Sequence, residues 1–106
     1  MSYDVNFIIK HEHCEYVGDK WISHTSKTAE MMKEVCGSWP STWDGMRCAD
    51  MYPILMQGIA LLKDNPERYR HLEAGNGWGT VETTINFLSQ IAENCQKHPT
   101  AIIEVI

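Results

Sequence analysis

Gly75-Asn76-Gly77-Trp78-Gly79-Thr80, with the run from Val81 to Lys97 behind it, is the stretch from which the architecture of this chain is read. Three glycines close together let the backbone enter the left-handed region or pass close to another segment, and Asn76 tolerates the same conformations. Such a loop is a shaped turn. Thr80 stands at the N-cap position of the following helix, Glu82 places negative charge in its first turn, and Val81, Ile85, Leu88, Ala92 and Cys95 recur at steps of four and three residues. Thr84, Phe87 and Ile91 widen that stripe, so the helix is expected to pack against more than one neighbour, with Trp78 folded back over its first turn.

Working outward, Asp64-Asn65-Pro66 stops a preceding helix, because the residue before a proline is pushed out of the helical region. Met51, Leu55, Ile59 and Leu62, with Ile54, Gly58 and Leu61 beside them, describe that helix as largely buried. Pro53 argues for a start near Asp50, with 46–49 as a separate turn or a kinked lead-in, since proline is tolerated in a first turn and costs about 3 kcal/mol inside a helix. Further back, Thr28, Met31, Met32, Val35 and Cys36 form one helical face closed by Gly37. Between these two helices, 38–45 carries Trp39-Pro40-Ser41-Thr42-Trp43 and reads as an aromatic loop.

Both ends read as strands. Tyr3, Val5, Phe7 and Ile9 alternate with the residues between them, and Ala101-Ile102-Ile103-Glu104-Val105-Ile106 is β-branched and apolar. The polar stretch from His11 to Lys20 either ends the first strand near His13 or leads, through Tyr16 and Trp21 to Ile22, into a second short one. The expected fold class is α+β, a small sheet formed by the N- and C-terminal strands packed against three main helices, in a single domain spanning 1–106.

The 106 residues suffice for one modest core. Fourteen acidic residues against nine basic ones give a formal charge of −5, which argues against non-specific binding to nucleic acid or membrane. No apolar run approaches the length of a membrane span, and Met1-Ser2-Tyr3-Asp4 lacks the layout of a signal peptide, so the expectation is a cytoplasmic protein. Cys14, Cys36, Cys48 and Cys95 are widely spaced and form no C-x-x-C pair, which favours free buried thiols over a disulfide framework.

Asn65-Pro66-Glu67-Arg68-Tyr69, then Leu72, then Asn76-Gly77-Trp78-Gly79, a helix bearing Cys95, and Pro99-Thr100-Ala101 before a final strand make a recognisable series. It resembles a family of small, uncharacterised bacteriophage and prophage proteins with an NP-x-x-[YF]…NGWG signature, over roughly the last forty residues. The resemblance implies a phage or prophage origin, and hence a host-cytoplasmic setting. It implies no activity.

Four groups of residues are candidates for function. Trp39 and Trp43, with Trp21 and Trp78, offer rigid apolar surface at little entropic cost, which suits protein binding, whether to a host or phage protein or to a second copy as a homodimer. The competing account is a loop folded over its own core. Gly77, Gly79 and Thr80 at the helix entrance, with Arg68 and Arg70 upstream, form the alternative, a site for an anionic, nucleotide-like ligand such as a phage anti-defence protein would sequester. Against it, Glu82 repels an anion and the loop follows a helical turn where nucleotide folds have a strand. His11, His13 and Cys14, with His24, carry metal-ligand chemistry but none of the usual zinc spacings, so neither metal nor cofactor is expected. Cys48, beside Arg47 at a helix start, has the most favourable electrostatics for a nucleophile, yet free cysteine usually packs as a small hydrophobe. The balance of these readings is a binding protein without catalytic residues.

Overall fold

The computed structural model describes the backbone of residues 2–11, 14–17 and 22–25, and both backbone and side chains of 28–73 and 79–105. Strands β1 (Ser2–His11), β2 (Cys14–Val17) and β3 (Ile22–Thr25) come first, followed by helix α1 (Ala29–Cys36). A 3-10 turn at Pro40–Trp43 leads to α2 (Cys48–Asp64). A second 3-10 segment at Pro66–Leu72 precedes α3 (Val81–Lys97), and β4 (Ile102–Val105) ends the chain.

The core is built helix on helix. Met51, Leu55, Gly58, Ile59 and Leu62 line the buried side of α2, and Val81, Thr84, Phe87, Leu88, Ile91, Ala92 and Cys95 line that of α3. Each stripe covers the other, and α1 closes the third side with Met31, Met32 and Val35. A large apolar side chain fully buried in this way contributes about 1.5–3 kcal/mol, so the α2–α3 seam is the main source of cohesion.

The expected α+β arrangement, a sheet of terminal strands with three helices packed on it, is therefore overturned. Over the residues described with side chains, 74% are helical and β4 is the one short strand. The backbone pairing that β4 takes part in runs alongside the helices. Its middle partner is β1, with Phe7 opposite Ile103, while β3 pairs with the first half of β1 and β2 with the second. The contacts between the two parts are local: β3 lies against α3 and β4 against the first 3-10 turn. Ala101 and Ile103 carry the C-terminal segment into the helical core, with Val105 packed against its edge.

Two boundaries also differ from the sequence reading. Helix α2 begins at Cys48, not near Asp50, so Pro53 sits inside it. The early start is held by neighbouring backbone: Cys48 N–H donates to the Ala101 carbonyl (2.9 Å), Ala49 N–H to Pro99 (3.0 Å) and Ile103 N–H to Met46 (2.8 Å). Trp43, expected in a loop, closes a 3-10 turn instead. Gly37 ends α1 at φ 83°, in the left-handed conformation that the closing glycine of a helix adopts.

Candidate protein-binding surface

Trp39 and Trp43 lie four residues apart and have opposite fates. Trp39 is the N-cap residue of the first 3-10 turn and 44% exposed, whereas Trp43 is fully buried, at 0%. The turn between them is tightly held. Thr42 N–H and the Thr42 hydroxyl both donate to the Trp39 carbonyl, at 2.9 and 2.6 Å, and Pro40 fixes the first dihedral. The Trp43 indole N–H donates to Ser38 Oγ at 3.1 Å, which meets its polar requirement inside the core. Trp43 thus offers no surface to a partner, contrary to its place among the expected binding residues. It anchors the turn that carries Trp39 to the core. Lys33 of α1 lies over the Trp39 ring, with Nζ 5.4 Å from the centroid, and so adds positive charge beside the exposed indole. Neither Ser38 nor Lys33 carried a sequence signal; both matter through the packing of α1 on the turn. Trp21 and Trp78 lie outside the described residues.

Of the groups expected to hold an anion, Arg70 and the entrance of α3 are engaged by the protein's own carboxylates. Arg70 donates to Glu73 and Glu82, both at 2.9 Å, and to Glu67 at 3.3 Å. The Glu82 and Glu73 carboxylates hold its guanidinium well above the ordinary range, and Arg70 in turn holds Glu82 below the usual carboxylate range. The same Glu73 oxygen that takes the Arg70 bond, Oε2, also accepts the Val81 N–H at 2.8 Å, so a carboxylate already sits on the first amide of α3. Thr80 completes the helix entrance as a reciprocal capping box, taking the Thr83 N–H at 3.1 Å while Thr83 Oγ1 takes the Thr80 N–H at 2.8 Å. Gly79 is buried, and Gly77 lies outside the described residues. Arg70 and Thr80 are therefore already engaged by the protein's own groups. Glu73 is the residue that sequence reasoning missed, because its role is a contact with the Val81 amide eight residues on, which no local spacing announces. Arg68 is apart from this network and lies over the Tyr69 ring, 6.0 Å from its centroid. It lines a cleft of about 250 Å³ with Glu30, Glu34, Tyr69, His71 and Leu72, whose two carboxylates oppose an anion.

Neither a family model, nor a curated protein, nor a solved structure matches this chain. The surface must be judged on its own geometry. A second hollow, of about 230 Å³, runs between α2 and α3, with Tyr52, Met56, Ile59 and Ala92 among its lining and Lys63 and Glu93 at its rim.

The remaining candidates are quickly placed. Register sets His11 opposite Cys14 across the β1–β2 pair, and His13 lies outside the described residues. Among the described residues no cluster of three His, Cys, Asp or Glu could hold a metal. Also among them, no helix is long and apolar enough to cross a membrane. Cys48 is fully buried at the first position of α2, where its thiol hydrogen-bonds with that of Cys95, and this bond lowers its pKa against the opposing effect of burial.

Proposed function

We propose that this chain is a small phage or prophage accessory protein that works in the host cytoplasm by binding another protein through Trp39 and its surroundings. The observation that carries the proposal is the state of Trp39: a large indole, nearly half exposed, on a short turn locked by Pro40, Thr42 and the buried Trp43. An aromatic side chain held rigid before binding loses little entropy on contact, and interface hot spots draw on this property. The adjoining Lys33 favours a partner with an acidic or carbonyl-rich rim. The phage setting rests on the likeness of the segment from Asn65 to Ala101 alone. Sequestration of a nucleotide-like anion has less behind it, since Glu73 and Glu82 already engage Arg70 and the first amide of α3.

The test compares capture of proteins from host-cell extract by the wild-type chain, by Trp39→Ala and by Met56→Ala, a control of nearly equal exposure at 43%. The expected outcome is a partner lost from Trp39→Ala and kept by Met56→Ala, with affinity weakened by about 2 kcal/mol or more, roughly thirtyfold. Light scattering on the purified chain reads whether that partner is a second copy. Equal capture by all three chains overturns the proposal.

A further inference from the structure

Helix α2 is apolar on more sides than its packing covers. From Met51 to Leu62 the one polar side chain besides the Tyr52 hydroxyl is Gln57, and a helix apolar around its circumference is ordinarily covered on every side. Here α1 and α3 close over the side that bears Met51, Leu55, Gly58 and Leu62 and leave another open. Tyr52, Pro53, Met56 and Ala60 share that open side, since their spacing returns them to one face of the helix. Pro53, Met56 and Ala60 are exposed and Tyr52 is half-buried. Beside this strip lies the hollow of about 230 Å³ between α2 and α3, with the buried Ile59 and Ala92 at its floor.

We propose that this face is where two copies of the chain meet, α2 of each laid over α3 of the other about a two-fold axis that runs along the groove between the helices. The charges at the rim select the occupant. Lys63 on α2 and Glu93 on α3 stand on opposite walls of the hollow, one charge of each sign. Lys63 has no ion-pair partner among the described residues. Glu93 has only the exposed Lys97 at 3.3 Å, a surface pair that holds weakly and exchanges readily. The rotation carries Lys63 of one copy toward Glu93 of the other, and an isologous interface makes every such contact twice. A partner of uniform charge would instead set one of the two rim residues against its like. Met56, exposed at the edge of the hollow, is a flexible side chain that fills irregular gaps and so suits the seam. Two helix pairs joined face to face in this way complete a four-helix core. Trp39 lines no part of the hollow, so the assembled pair displays two copies of the exposed indole and gains avidity for a partner that offers two sites.

Sedimentation equilibrium of the full chain over a concentration series tests the proposal. The expected mass is twice the 12.2 kDa of one chain, falling to 12.2 kDa in Met56→Glu. The Met56 side chain is 43% exposed in the single copy, and the melting temperature reports whether the variant stays folded. Lys63→Glu and Glu93→Lys should each weaken the dimer by about tenfold or more, and the two changes together should restore it. Should Met56→Glu unfold, this rescue decides alone. Trp39→Ala should keep the doubled mass. A wild-type chain that stays at the mass of one copy at every concentration overturns the proposal, as does a folded Met56→Glu that remains dimeric or a charge reversal that its counterpart does not rescue. A monomeric Trp39→Ala also overturns it, while leaving Trp39 as a binding residue. Failed capture of a host protein by Trp39 leaves the measured mass untouched, so the two proposals stand or fall separately.

Discussion

Gly58 shows how one atom can reverse a propensity. It lies on the buried side of α2, and a Cβ placed there would stand 2.7 Å from Cys36 Sγ and 3.3 Å from Val35 Cγ2. In a helix interior alanine is ordinarily better than glycine by about 1 kcal/mol. Here the gain is outweighed, because overpacking of a close helix crossing costs about 1–3 kcal/mol. Gly58→Ala should therefore lower the urea midpoint, by a net destabilisation of about 1 kcal/mol. Cys36→Ala removes the closer obstacle, so adding Gly58→Ala to that variant should cost less or become favourable. Equal costs in both backgrounds would show that Cys36 does not set the crossing. The glycine was legible in the sequence as one of the buried positions of the helix, whereas its neighbour across the crossing was not, since nothing local to Gly58 names Cys36.

At the level of elements, periodicity carried much and energetics decided the rest. Thr80 as N-cap and the stripe from Val81 to Cys95 followed from spacing, and the helix occupies that run. The start of α2 did not follow. A helix that begins at Cys48 places Pro53 where its ring crowds the preceding turn and its missing N–H leaves the Ala49 carbonyl without its helical donor. The tethers from Ala101, Pro99 and Ile103 offset that cost, and they come from a segment distant in sequence. Pro53 is exposed, so Pro53→Ala should raise stability by about 1–2 kcal/mol in urea unfolding, after allowance for the added freedom of the unfolded chain. An unchanged or lower midpoint would mean that the proline fits this helix without strain.

Across the whole molecule, the pair Trp39 and Trp43 separates stability from recognition. Trp43→Ala empties a fully buried site between α1 and β4 and should cost about 3–5 kcal/mol. Trp39→Ala removes an exposed ring and should change stability by no more than about 0.5 kcal/mol. Thermal unfolding of the two variants side by side checks the contrast, and similar losses would contradict it. The sequence by itself determined where the helices lie and that α3 is driven inward, because periodicity and the Thr80 cap act over a few residues. It likewise marked 38–45 as aromatic and broken by proline. It could not say which indole is buried or that Glu73 takes the first amide of α3. Nor could it say what the helices cover. Alternating apolar residues at both ends suggested strands and hence a supporting sheet, but a strand's pattern does not reveal the surface it is laid against. Tertiary structure decided that α2 and α3 cover each other, because two long apolar stripes bury more surface together than either could against a short terminal strand.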